Sequence, residues 1–313
     1  MMRINYIGMI LGVLILASCN KKLELRSLTF DVAADSAAYT AGRVATFQFS
    51  GNPDNITFFS GETGKRYGFR ERTSAEGIPQ LRFSTALNSG VQPNSLSLMI
   101  STDFGGGITN TSDPAAITAA SWTDISSRAS WATNGTVVAS GTVDLSDIAA
   151  AGKPVYIAFR YTAATGTVQN KWTITGFSLR NVLNDGTAYV IDTLPTFITV
   201  ANYGNTGTVP GWAAKTITNT YRWTLGATNL VIAGATSAAA ATDPVEAWAV
   251  TGPVDLRKVT PDAGTVVKTM ANAVPALGYT YAKPGTYEAV FVAGNANADG
   301  QRSQVKKLAV TVQ

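Results

Sequence analysis

Apolar and polar residues alternate along this chain with a period of two, in short runs. The clearest run is Lys171-Trp172-Thr173-Ile174-Thr175, which places Trp172 and Ile174 on one face and polar groups on the other. That is the pattern of a half-buried strand. Runs rich in Val, Ile, Thr, Tyr and Phe at Arg43 to Ser50, Ser95 to Thr102, Pro154 to Tyr161, Lys171 to Leu179 and Thr286 to Ala293 predict further strands. Gly, Asn, Asp and Pro separate them, as at Asn181 to Thr187. No window carries the 3.6-residue period of a strong amphipathic helix. The Ala-rich stretch Ala233 to Thr242 lies between the strand-like Leu230-Val231-Ile232 and Ala247-Trp248-Ala249-Val250, and reads as a loop. Many short strands at this spacing predict an all-β chain of sandwiches rather than a βαβ sheet.

One apolar run breaks the alternation. It extends from Ile7 to Ala17, after a head containing Arg3. A membrane-spanning helix needs about 20 apolar residues, whereas the apolar core of a cleaved signal peptide has about 7–15. The run ends in Leu16-Ala17-Ser18-Cys19, which resembles a bacterial lipobox: an aliphatic residue, two small residues, then cysteine. The resemblance implies cleavage before Cys19 and acylation of its thiol. The expected partner is then a lipid bilayer, with the chain anchored to the membrane and not spanning it.

Composition narrows the chemistry. The chain has no histidine, and Cys19 is its only cysteine. The lack of histidine excludes His-based triads, His general bases and His metal ligands, and with Cys19 acylated no thiol nucleophile, disulfide or Cys-ligated zinc is expected. Charged residues make up 14%, against the usual quarter, with 24 Lys+Arg and 20 Asp+Glu. No long basic run occurs, so no nucleic-acid partner is expected.

Two segments align without gaps: Gly42 to Asn52 and Gly285 to Asn295, each a Gly turn, a strand and a Gly-Asn turn. They point to shared immunoglobulin-like architecture. Near the C-terminus, Tyr279 to Val292 reads Tyr-Thr-Tyr-Ala-Lys-Pro-Gly-Thr-Tyr-Glu-Ala-Val-Phe-Val, with a last strand at Val305 to Val312. This resembles the polycystic-kidney-disease-type (PKD) immunoglobulin-like domain, in which the Pro-Gly-Thr-Tyr turn starts a core strand and the tyrosine caps the core. In the middle stand Ser97 to Phe104, Trp122-Thr123-Asp124-Ile125, Ser140 to Ser146, Val155 to Tyr161 and Trp172-Thr173-Ile174. Together they resemble the carbohydrate-binding-module-like jelly roll called choice-of-anchor. With Phe49-Ser50-Gly51-Asn52 and Ile56 to Glu62, the whole mature chain resembles a Bacteroidota-type surface lipoprotein family known only as a domain of unknown function. Its members are often encoded beside starch-utilisation-type outer-membrane glycan importers.

The organisation expected is a lipoprotein signal peptide at 1–18, a tether at 19–26, an immunoglobulin-like β segment at 27–80, a jelly roll at 81–252 and a PKD-like domain at 253–313. The resemblance implies a non-catalytic, lipid-anchored outer-membrane protein that binds or presents polysaccharide next to an importer complex. The alternative is a structural or adhesive cell-surface spacer that binds another protein. Relatives exported to the surface carry acidic residues just after the acylated cysteine. Asn20-Lys21-Lys22 is basic here, which leaves the cell surface and the periplasmic face both open.

Sugars are held by aromatic faces stacked on their CH surfaces. Trp122, Trp172 and Trp248 sit in strand-like alternation and read as core. Trp131 lies in a polar loop, Trp212 follows Pro210-Gly211, and Tyr203 precedes Gly204; these three are the candidate glycan-binding platform. No cofactor is expected. Asp103, before Phe104-Gly105-Gly106-Gly107, is the position from which a structural calcium ion would be held, but one carboxylate is no site. Asn295-Ala296-Asn297-Ala298-Asp299-Gly300 mimics the opening of a calcium loop, yet its twelfth position is Lys306 where an EF-hand needs Glu. It reads as a turn. Asp54, Glu62, Glu71 and Asp124 carry no spacing that marks an acid–base pair.

Overall fold

The computed structural model describes residues 24–105, 114–194, 211–226 and 228–313. Within these, the chain is all-β and divides into two compact units. Of the described residues, those up to 71 and from 261 to 313 form unit 1, and those between 72 and 260 form unit 2. The first strands are β1 (Phe30–Ala34), β2 (Ala38–Tyr39), β3 (Val44–Gly51) and β4 (Asn55–Phe59). Unit 2 follows with β5 (Ile78–Ser89), β6 (Leu96–Ser101), β7 (Thr123–Asp124), β8 (Val138–Ala139), β9 (Val143–Asp144), β10 (Tyr156–Ala163), β11 (Lys171–Val182) and β12 (Ala188–Thr193). It ends with β13 (Trp212–Thr218), β14 (Thr224–Leu225), β15 (Asn229–Ala233) and β16 (Val245–Thr251). The chain then returns to unit 1 for β17 (Thr265–Lys268), β18 (Ala276–Thr280), β19 (Gly285–Asn297) and β20 (Gly300–Val312). The described helices, α1 (Ala115–Thr118) and α2 (Ser146–Ala149), are single turns.

Unit 1 is one sandwich built from both ends of the chain. Its sheets have the orders β1-β3-β18 and β17-β4-β19-β20-β2. The short β2 pairs parallel with β20, and every other pairing is antiparallel. This is an immunoglobulin-like arrangement, with Phe47, Phe58 and Phe291 meeting in the core at ring-centroid distances of 4.9–5.8 Å. Tyr287, from the Pro-Gly-Thr-Tyr turn, donates its hydroxyl to the Lys283 carbonyl at 2.9 Å, the geometry of a tyrosine corner. The sequence sets 27–80 and 253–313 apart as two segments. In the fold residues up to 71 and from 261 onward share this core, because β4 hydrogen-bonds directly to β19, with Phe58 opposite Phe291, while 72–80 and 253–260 belong to unit 2. The two aligned Gly-Asn segments are β3 and β19, one from each sheet of the same sandwich.

Unit 2 is a second sandwich. Its sheets have the orders β13-β16-β10-β6-β7 and β14-β15-β11-β5-β8, with β12 on β11 and β9 on β5. The chain crosses between the sheets at β5/β6, β7/β8, β9/β10, β10/β11, β12/β13, β13/β14 and β15/β16. The central order β16-β10-β6 therefore lies over β15-β11-β5, which is how a jelly roll is wound. The core between the sheets holds Leu98, Phe159, Ile174, Phe177, Leu230 and Ala247 among others. In β11 the inward parity changes halfway. Trp172 and Ile174 face in, then Phe177 and Leu179, because Gly176 at φ +61° carries a bulge that inserts one residue. A smaller apolar cluster of Met99, Phe104, Ile117, Trp248 and Val250, with Trp122 half-buried against it, lies on the other face of the first sheet. Residues 234–244 form a loop.

Each unit ties together its own two chain ends at the boundary. In unit 2, the Val259 amide donates to the Thr73 carbonyl at 2.9 Å and the Ala75 amide to the Arg257 carbonyl at 2.9 Å. In unit 1, the Asp262 amide donates to the Phe69 carbonyl at 3.1 Å, and Asp262 pairs with Arg66 at 3.1 Å.

Candidate functional site

A cleft of about 660 Å³ opens in unit 2 between the turn leading into β6, the segment after β7 and the start of β11. Its aromatic surface is Trp131, half-buried, with Trp172 (6% exposed) beside it. Both indoles are fixed at their N–H ends. Trp131 Nε1 donates to the Ser126 carbonyl at 2.9 Å, and Trp172 Nε1 donates to Ser95 Oγ at 2.8 Å. The Trp131 ring leans on Phe83 in the core, centroids 5.4 Å apart. An indole held in this way presents its surface with little ordering still to be done on binding.

The wall opposite is a turn that the fold clamps. Buried Asn170 accepts the Gln92 amide at 2.9 Å and donates to the Gln92 carbonyl at 2.7 Å and to Ser95 Oγ at 2.6 Å. The Gln92 side chain in turn bonds the Ala164 backbone and Thr167 Oγ1. Gly90 at φ +83° lies so close that a Cβ would stand 2.2 Å from Asn170 Oδ1. Glycine is required there for its left-handed backbone and for the space. Asn94, Ser97 and Asp124 also line the cleft. Asp124 Oδ1 accepts the Ser126 amide at 2.8 Å, while Ser126 Oγ accepts the Leu98 amide at 2.8 Å, so this rim is tied to β6.

The three platform residues are not brought together. Trp131 lines the cleft. Trp212 does not form an exposed platform: it is 1% exposed, stacked on Phe159 and edge-on to Phe177 at centroid distances of 5.9 and 4.9 Å. It opens β13 on the inward-facing parity, so the Pro210-Gly211 turn signal just before it is followed by a core residue. Tyr203 and Cys19 lie outside the described residues. Trp172, read from its alternation as core, is both core and cleft lining. Trp248 is buried and Trp122 half-buried.

The carboxylates are dispersed in local roles. Asp54 pairs with Arg26, and Glu71 with Arg70. Glu62 accepts from Ser60 Oγ and from the Tyr279 hydroxyl. Asp103 accepts Ser121 N–H and Ser101 Oγ at 2.9 and 2.8 Å, and these bonds hold its carboxyl below the usual range. Among the described residues, no group of three or more Asp, Glu, Cys or His side chains is placed to hold a metal ion. Asn297 Oδ1 accepts the amides of Asp299 and Gly300, closing the β19–β20 turn. A depression of about 830 Å³ in unit 1 is lined by Phe49, Asp54, Lys268 and the strap Met270 to Pro275. It has no indole, and its Asp54 is already paired.

Asp192 on β12 is unlike the others. It is 1% exposed, its Oδ2 has no hydrogen-bond partner among the described residues, and burial pushes its carboxyl up to about 7. The Thr193 amide and the charge of Lys258 oppose that shift without cancelling it.

No described helix is long and apolar enough to cross a membrane. The model of the family described as Domain of unknown function (DUF5017) matches residues 18–198. Every residue lining the cleft falls inside that match. No curated protein and no solved structure matches the chain.

Proposed function

For a chain that belongs to the DUF5017 family, a family without an assigned function, we propose the role of a non-catalytic polysaccharide-binding protein, lipid-anchored at the outer membrane. The observation that carries the reading is the cleft. It joins a fixed, half-buried indole to amide, hydroxyl and carboxylate groups in a concavity whose walls are already hydrogen-bonded in place. Indole faces suit the CH surfaces of pyranose rings, and small polar groups suit their hydroxyls. The lipobox at Leu16 to Cys19 supports the anchor, since two or more acyl chains give stable attachment. Presentation of the glycan to an outer-membrane importer follows from the Bacteroidota-type resemblance.

Isothermal titration of the chain from Asn20 onward, which retains every described residue, against a panel of polysaccharides tests the binding role. At least one polymer is expected to bind and to lose most of its affinity in Trp131→Ala. No heat with any polymer at millimolar sugar refutes the role. Labelled fatty acid is expected to enter the full chain in its bacterial host and to be lost in Cys19→Ala.

One observation favours the spacer reading. Trp212 is buried, so it adds no second stacking face to Trp131. A spacer that binds another protein predicts no polysaccharide affinity and no effect of Trp131→Ala on partner capture.

A further inference from the structure

The charge around the cleft runs against the charge of the chain. The protein carries a formal +4 and a pI near 9.1, which would draw acidic glycans. Yet among the described residues no Lys or Arg lines the cleft, and Asp124 is its only charged side chain. The nearest basic residue in sequence on that rim, Arg128, is turned away: both of its terminal nitrogens bond Asp147, at 2.8 and 2.7 Å, and one also bonds the Asp144 carbonyl. A neighbouring depression of about 780 Å³ shares Gln92 and Pro93 with the cleft and repeats the pattern. Its only charged lining residue among those described is Glu246, which accepts from Arg160 Nε and Trp248 Nε1, each at 2.9 Å.

Carboxylate and sulfate groups are recognised by Arg forks, Lys or converging backbone N–H groups. An anion desolvated without such a partner is disfavoured. Distant surface cations do not compensate, since exposed charges are screened beyond about 8 Å at physiological salt.

We infer that the cleft selects uncharged glycan chains and rejects uronate- or sulfate-bearing ones, with Asp124 as the rejecting charge. The inference rests on the glycan reading of the same cleft and deepens it to a substrate class. The probes are starch, mannan and β-glucan, each used unmodified and after carboxylation of its C6 hydroxyls, titrated into the chain from Asn20 onward. The unmodified form of a bound polymer is expected to bind at least about tenfold more tightly than its carboxylated form. Asp124→Asn keeps the oxygen that accepts the Ser126 amide and is expected to narrow that ratio at least threefold.

Carboxylated polymer binding as well as the unmodified one, with sensitivity to Trp131→Ala, overturns the charge selectivity and leaves the glycan role standing. An undiminished ratio in Asp124→Asn overturns the role of Asp124. No binding of either form overturns the glycan role and this inference together.

Discussion

Replacing Asp192 by asparagine tests whether the buried carboxyl of unit 2 controls how stability varies with pH. Asp192 keeps its proton in the folded chain up to about pH 7, while the unfolded chain releases it near 3.8. Between those values the folded state binds more protons, so stability falls as pH rises. The slope reaches about 1.4 kcal/mol per pH unit, and the full interval gives up to about 4 kcal/mol. Below about pH 4 both states are protonated and the variant is nearly neutral; above about 7 the penalty is complete and constant. The asparagine side chain has the same shape and no charge, so the variant should gain on wild type through that window. The assay is urea unfolding at a series of pH values, followed by tryptophan fluorescence. All six tryptophans lie within residues 72–260, so the signal reports unit 2 alone. Wild-type and Asp192→Asn stabilities that stay parallel from about pH 4 to 8 refute the reasoning.

Trp212→Ala is expected to destabilise unit 2 by about 3–5 kcal/mol, because a fully buried indole leaves a cavity between Phe159 and Phe177. Trp212→Phe should lose less than half of that, since the indole N–H has no partner among the described residues to lose; urea midpoints decide it. Asn170→Ala removes three hydrogen bonds from the cleft wall and should cost about 2–4 kcal/mol. Polysaccharide affinity is expected to fall with it, and an unchanged affinity would show that the wall is not needed. Joining Glu71 to Pro261 through a short Gly-Ser linker should give a tryptophan-free β protein with a cooperative melt by circular dichroism. The Phe69–Asp262 hydrogen bond already holds those ends together. A broad, non-cooperative loss of signal would mean that unit 1 does not fold by itself.

The strands were legible because their alternation is local. Lys171 to Thr175 keeps its predicted parity, and only the bulge at Gly176 reverses it further along β11. The Pro210-Gly211 signal places Trp212 at the surface and the structure buries it, because the choice between core and surface at the mouth of a strand turns on one residue of register. The adjacent Pro-Gly pair signals the turn but not the direction of the next side chain. Trp131 was legible as a loop aromatic, whereas Asn170 was not legible as the clamp behind it. A buried amide takes its partners from wherever the fold places them, here Gln92 and Ser95. The pairing of β4 with β19 brings together residues more than two hundred positions apart, and no local pattern records such a ladder. The repeated Gly-strand-Gly-Asn segments are β3 and β19, which lie in different sheets, so they record the common sandwich and not this ladder.

The paired crossings at residues 71/72 and 260/261 also set an order in time. Unit 2 is a continuous stretch, complete once residue 260 has been made. Unit 1 is interrupted: Phe30, Val32, Phe47 and Phe58 are made early, while Phe291 and Val310, their core partners, come in the last 53 residues. At about 5–20 residues per second, the strands made first wait roughly ten to fifty seconds for β17–β20. Through that interval β1 and β3 have each other, but β3 lacks β18 and β4 lacks both of its sheet neighbours, β17 and β19. The earliest strands synthesised are thus among the last to fold, and they are the ones that most need shielding while the chain is finished.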